Sequence, residues 1–461
     1  MSYQAIVCKL TNVRKHPNAD RLKIGTVQGY QVIIGLDQKE GNMGVFFACD
    51  GQLSDDHIKN NNLSQHSELN KDPESMGGFF GKNGRVKAQR FRGEKSEGFW
   101  QPLSAFFWTG VIGENIEGYQ FDTLNGHRIC KKYFTPATLK AMKQKNARKG
   151  KALGMKVDRS MLHEHYSTLQ VRHHINLISE GSVLYITEKL HGSSGRTGYI
   201  KSKYPIYNKF KLGWNKLAVK IENSAIHISR KARILGFFKK LKLKSFDLNA
   251  KRYNSKWEYV SGTRRVILDQ DVAIDNGYYS GTTFRQKIHN QIKTMGLKKG
   301  EVLYYEIVGF DDNGKSIMGA HSIEDKKMIK KYSNKMHYTY GCDSPECAIY
   351  IYRIVHMTND GYEIDLSWPQ VITRCKELGL NTVPLLKGPI LHTTKEELLK
   401  ELEILSNGPS TLDNCHIREG VVVRVEHENM FEVLKYKSYW FCEFENICKN
   451  SDNFIDPEEV A

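Results

Sequence analysis

Short apolar runs separated by turn residues fill the first quarter of the chain. Ala5-Ile6-Val7, Ile24-Gly25-Thr26-Val27, Gln31-Val32-Ile33-Ile34 and Val45-Phe46-Phe47-Ala48 have the length and spacing of strands in a small antiparallel barrel. Further along, Ser182-Val183-Leu184-Tyr185-Ile186-Thr187 has the β-branched content of a strand and runs through Lys189 into Gly192, Gly195 and Gly198. Three more strand-like runs follow at 302–309, 418–424 and 433–437. Helical patterning is sparser. It is expected around Pro136 to Lys149, and again where Thr394-Lys395-Glu396-Glu397 forms a capping sequence ahead of Leu398, Leu399, Leu402 and Leu405. This mixture predicts an α+β protein, with a barrel over 1–122, a connector over 123–165, a larger domain over 166–449 and a tail over 450–461. Within the larger domain, residues 201–256 are basic and irregular in pattern, and are read as an insertion.

Charge narrows the class of partner. The 461 residues carry 68 Lys+Arg against 51 Asp+Glu, a net charge of +17. Such an excess favours a polyanion, nucleic acid before membrane. From Thr123 to Val157 there is no acidic residue at all, which suits either a phosphate-neutralising surface or a solvated linker. No apolar run is long enough to span a bilayer and the first residues do not resemble a leader, so a cytoplasmic protein without membrane association is expected. Nine scattered cysteines read as reduced thiols; Cys342 and Cys347, with no second pair, make a poor zinc site.

Several charges stand where a plain core strand would have none. Glu306 interrupts the apolar run Val302-Leu303-Tyr304-Tyr305-Glu306-Ile307-Val308-Gly309, and an unpaired buried carboxylate costs several kcal/mol, so it must face a cavity, a cation or a ligand. Glu419-Gly420 leads Val421-Val422-Val423. Lys435 and Lys437, two apart on a strand, share a face and would repel unless an anion lay between them. Lys189, at a strand end before a glycine turn, can enter a pocket where bare backbone approaches a phosphate.

Two resemblances organise these features. His16-Pro17-Asn18-Ala19-Asp20-Arg21-Leu22 and Arg92-Gly93-Glu94-Lys95-Ser96-Glu97-Gly98 resemble signatures of the oligonucleotide-binding (OB) barrel in tRNA-binding domains of synthetase accessory proteins, although the first is also a good capped turn. Lys189-x-x-Gly192, Tyr305-Glu306-Ile307-Val308-Gly309, Tyr350-Ile351-Tyr352-Arg353-Ile354, Glu419-Gly420 and Lys435-x-Lys437 resemble, in order, the motifs of the covalent nucleotidyltransferases: ATP-dependent DNA and RNA ligases and capping enzymes. His191, where Asp is commonest, resembles the nick-sealing RNA ligases. The position of the barrel before the motifs, with only a short stretch after Lys437, resembles an RNA ligase group typified by a bacterial enzyme. Ser194 and Arg353 depart from that pattern, which often has Asn and Asp there.

The resemblance implies ATP and Mg²⁺ (or Mn²⁺) as cofactors. It also implies an RNA partner, either a nicked duplex or an RNA–DNA hybrid, joined by a monomer. Lys189 would attack the α-phosphate, AMP would pass to an RNA 5′-phosphate, and the 3′-hydroxyl would then expel AMP. Glu419 is the expected metal-side carboxylate, Glu306 the ribose contact, Tyr352 the adenine stack, and Lys435 and Lys437 the phosphate contacts. Glu188, Gly192 and Arg264 complete the nucleotide site, and His191 either faces the ligand or stabilises the turn. A free lysine is only about one part in 2,500 neutral at pH 7, equivalent to roughly 4.6 kcal/mol, so the site must favour the amine. A non-catalytic RNA-binding protein and a capping-type guanylyltransferase are the competing classes.

Overall fold

The computed structural model describes residues 3–74, 77–110, 116–149, 161–165, 167–205, 253–268, 279, 281–427 and 430–456. Most of the expected insertion, from 206 to 252, lies outside the described residues, as do 150–160 of the connector and 457–461 of the tail.

The early apolar runs form strands Ala5–Lys9, Leu22–Val27, Tyr30–Gly35 and Met43–Ala48. Alternation sends their side chains to two cores. Ala5, Val7, Val45 and Phe47 enter one, while Ile6, Cys8, Val32 and Phe46 enter the other. The strands divide between a four-stranded sheet and a three-stranded sheet, and no closed barrel forms among the described residues. The physical reason lies at Thr11–Lys15, which is exposed over most of its length and pairs on one side with Leu22–Val27, leaving an open edge. Cys130–Lys132 returns to pair with Gly51–Leu53, and Ile129 and Cys130 join the first core.

The helix expected in the connector runs Pro136–Lys149. The end of the connector is not a solvated linker: Met161 and Leu162 are buried against Ile200, Val260 and Val302.

Two sheets make the C-terminal domain. One has the order Leu169–Gln170, Met430–Lys437, Gly420–His427, Val183–Lys189, Leu385–Leu391. The other has the order Tyr253–Gly262, Ser193–Pro205, Glu301–Gly309, Cys347–Met357, Glu363–Asp365, with Asn381–Thr382 parallel to Cys347–Met357. Strand Val183–Lys189 belongs to the first sheet and Ser193–Pro205 to the second, so the three intervening residues carry the chain from one to the other. Lys189 therefore stands at the gap between sheets. Helix Lys395–Ser406 covers the first sheet: Thr394 Oγ1 accepts from Glu397 N at 3.3 Å, and Leu398 and Leu402 pack on Val421 and Val423. Truncating Leu402, fully buried, to alanine would cost about 2–5 kcal/mol. Helices Phe284–Thr294 and Trp368–Leu378 pack into the core of the second sheet. No helix among the described residues is long and apolar enough to cross a membrane.

Candidate active site

Strand register assembles the first group of residues. Lys189 pairs with Gly420, and Gly420 with Lys437, so a lysine, a glycine and a lysine form a row across three strands. Gly420 is needed there, because a Cβ would lie 2.1 Å from the Tyr436 carbonyl oxygen. Glu419, fully buried, sits at the centre. Its Oε2 accepts from Lys189 Nζ at 2.6 Å and lies 3.6 Å from His191 Nδ1, while its Oε1 is 3.4 Å from Lys437 Nζ. The anion expected between cations is thus supplied in part by the protein itself.

His191 takes the packing role of its two alternatives. Its ring lies against Tyr338, His321 and Phe441, and its backbone N–H donates to the Tyr340 hydroxyl at 2.6 Å. Burial, then the neighbouring His191, pushes the His321 imidazole down to about 3, so His321 is neutral beside it. A Cβ at position 192 would lie 2.4 Å from the Ile307 carbonyl oxygen, which explains the glycine.

The second sheet lines an inner cavity of about 190 Å³. Ser194 pairs with Glu306, and Glu306 Oε2 accepts from Ser194 Oγ at 3.4 Å. Tyr352 is the extra residue of a β-bulge, since Tyr304 pairs with Arg353 and Tyr305 with Ile351. The bulge turns Tyr352 to the cavity, and its hydroxyl shares a hydrogen bond with His165 Nδ1. Burial, aided by Arg196, Arg264, Arg353 and Arg285, holds His165 well below the usual imidazole range. Glu188 faces the same cavity, with Oε2 accepting from Thr411 N at 3.0 Å and Thr411 Oγ1 at 2.7 Å.

Beyond the mouth lies a wider cleft of about 750 Å³ between the N- and C-terminal domains, bordered by Lys131, Lys132, Arg265 and Lys437. Lys189, Arg264 and Lys435 border both spaces. A flat apolar group fits inside, an anionic chain at the mouth, and a polyanion in the outer cleft.

The structure brings together all the residues singled out from sequence, with His191 and Glu419 behind the cavity wall. Sequence reasoning missed Arg285, whose Nη2 donates to Ser193 Oγ at 2.6 Å and Nη1 to the Ser194 carbonyl at 3.2 Å, fixing the loop after the lysine. It also missed His165, because a lone histidine in a basic connector carries no signal. Arg353, a departure from the motif, is structural: buried, it pairs with Asp365 at 2.6 Å and Glu363 at 2.8 Å. The two early motifs clasp each other, with His16 Nε2 3.0 Å from the Phe91 carbonyl and Asn18 Nδ2 donating to the Arg92 carbonyl at 3.0 Å. Cys342 and Cys347 are free thiols, and no group of three His, Cys, Asp or Glu capable of holding a metal occurs among the described residues.

Comparison with known proteins agrees with this arrangement. Among curated protein sequences none matches this chain. Among solved structures, an apo variant of Naegleria gruberi RNA ligase is similar at a TM-score of 0.53 and 15% identity, over 97% of this chain and 100% of that one. Another variant of that ligase, with ATP and Mn, gives 0.51 and 15% over 96% and 98%, and a third, also with ATP and Mn, gives 0.52 and 14% over 95% and 98%. At such identity these likenesses establish the fold. Residues 182–437 match the family described as RNA ligase, a span of more than half the chain that holds every strand of the lysine row, and the protein belongs to that family.

Proposed function

We propose that this protein is an ATP-dependent RNA ligase that joins a 3′-hydroxyl to a 5′-phosphate through a Lys189–AMP intermediate and adenylylated RNA, at nicks in an RNA duplex or RNA–DNA hybrid. The observation that carries the reading is the position of Lys189. It stands at the junction of a closed inner cavity and a basic outer cleft, in a row with Glu419 and Lys437. The inner cavity takes the adenosine, with Tyr352 against the base and Glu306 toward the ribose, and Glu188 at its wall. The mouth takes the phosphates, between Lys435, Lys437 and Arg264. The outer cleft takes the RNA, which suits the acid-free segment that contributes Lys131 and Lys132. The N-terminal strands fit an OB-like module closing one side of this cleft.

The nucleophile must first leave its ion pair, because Lys189 donates to Glu419 at 2.6 Å and a protonated amine cannot attack. Lys435 and Lys437 lower the cost of the neutral amine and of charge developing on the α-phosphate. Mg²⁺ retains several waters and needs only one or two carboxylates, so the absence of a three-ligand cluster among the described residues is compatible with an ion at Glu419. When bound there, the cation would supply further positive charge at the α-phosphate. The ATP and Mn, or AMP and Mn, in the Naegleria ligase structures support this choice of cofactors.

Incubation with labelled ATP or GTP and Mg²⁺, followed by denaturing electrophoresis, tests the reading. An acid-labile AMP adduct on the wild-type chain, absent from Lys189→Arg, is expected. A GMP adduct would make the protein a capping-type enzyme, and no adduct with either nucleotide would leave an RNA-binding protein without ligase chemistry.

A further inference from the structure

Strand Met430–Lys437 holds the two phosphate-side lysines, and the N-terminal domain grips it from both sides. On one side Glu97, inside the Arg92–Gly98 motif, is buried and pairs with Arg172 Nη1 at 2.8 Å. Arg172 in turn donates to the hydroxyl of Tyr436, the residue between the two lysines. Its guanidinium lies 4.1 Å from the ring centre of Tyr30 and 4.3 Å from that of Tyr436, so an N-terminal and a C-terminal tyrosine sandwich one cation. Burial opposes ionisation of Glu97, but Arg172 and Lys95 outweigh it and hold the carboxyl below its usual range.

On the other side a chain of alternating charges starts at the nucleophile. Lys189 meets Glu419 at 2.6 Å, Glu419 meets Lys437 at 3.4 Å, and Lys437 meets Glu445 at 3.4 Å. Glu445 meets Lys449 at 3.0 Å, and Lys449 meets Asp50 of the N-terminal domain at 3.0 Å. Burial works against the charge on Lys449, yet Asp50, Glu445 and Asp456 together hold it well above the usual lysine range. Every second link is a carboxylate, so displacing one member changes the field on its neighbours and, through them, on Lys437.

We infer that the N-terminal domain is a positioning element for nucleotide activation, setting Lys435 and Lys437 through two anchors, Glu97–Arg172–Tyr436 and Asp50–Lys449–Glu445–Lys437. The domain thus acts in the first chemical step as well as in holding RNA. Glu97 and Asp50 are positioning residues; neither belongs to the set that meets the phosphates. The inference rests on the reading that Lys189 is adenylylated.

The test uses the full-length chain with Asp50→Asn, Glu97→Gln and Tyr436→Phe, the last removing only a hydroxyl. Single-turnover formation of the AMP adduct is followed over a range of ATP concentrations, recording both rate constant and final labelled fraction. Misplacement of a phosphate contact by about 1 Å can cost on the order of a hundredfold, so slowing of the maximal rate by roughly tenfold or more is expected, with half-saturating ATP nearly unchanged. The labelled fraction should match wild type, and Asp50→Glu should recover most of the rate. A merely structural role would lower the labelled fraction and leave the rate constant alone. That result, or wild-type rates in Asp50→Asn and Glu97→Gln together, overturns the inference. If the wild-type chain forms no adduct, the reading beneath fails first and takes this inference with it.

Discussion

Replacing Glu419 by glutamine changes almost nothing in shape and removes the one charge on which Lys189 and Lys437 converge. At an effective dielectric of about 20, a unit charge pair at 2.6 Å is worth about 6 kcal/mol and one at 3.4 Å about 5 kcal/mol. Most of that gain offsets the desolvation of a carboxylate with no exposed surface. The net cost of breaking a buried pair is about 3–5 kcal/mol, and the lower end applies because the Lys189 side chain keeps 22% exposure to water. Catalysis feels two opposed effects. Withdrawing the negative charge from the Lys189 ammonium favours the attacking amine and by itself would speed adenylylation. Loss of the carboxylate on the metal side removes a preorganised group from the transition state, an effect of about 2.7–4 kcal/mol, or 10²–10³ in rate. The second should win. Single-turnover labelling of Glu419→Gln with ATP is the assay, run from pH 6 to 9 with a melting curve for each sample. The expected outcome is adduct formation at least about a hundredfold slower at every pH. Labelling at or above the wild-type rate would show that Glu419 is a clamp on the resting lysine and has no part in the reaction.

Three further outcomes follow from the same geometry. Tyr352→Ala should raise half-saturating ATP by about 5- to 150-fold, from about 1–3 kcal/mol of stacking, with a smaller change in maximal rate; a loss of maximal rate at constant half-saturation would remove the stacking role. Lys131→Ala with Lys132→Ala should weaken nicked-RNA binding and make its salt dependence shallower, while adduct formation stays at the wild-type rate; an unchanged salt slope would place the RNA elsewhere. Burial pushes His57 and His173 down to about 4 and His321 to about 3, all below the unfolded value near 6.5. Their contribution is therefore fully present above pH 6.5 and is lost as pH falls toward 4, by up to about 1.4 kcal/mol per pH unit for each histidine; a melting temperature flat between pH 7 and 5 would contradict the buried neutral state.

Local chemistry carried much of this protein. Alternating apolar runs were enough for the N-terminal strands, Thr394 and the leucine stripe for helix Lys395–Ser406, and the glycine after Lys189 for a strand end that opens into a turn, because each depends on residues a few positions apart. A carboxylate inside an apolar run had to face a cavity, and Glu306 does, since the cost of burying it alone is independent of topology. What pairs with what was not legible. That Lys189, Gly420 and Lys437 share one row is a matter of register between strands more than 200 residues apart in sequence. Nothing near Glu419 marks it as the partner of Lys189. The barrel expected from spacing stayed open because hydrogen bonding along Thr11–Lys15 depends on which strand reaches it. Glu97 shows the same division most sharply. Its motif suggested a surface for nucleic acid, but only the packing of one domain on the other buries it against Arg172, because a buried carboxylate is stabilised by whichever cation the tertiary fold delivers.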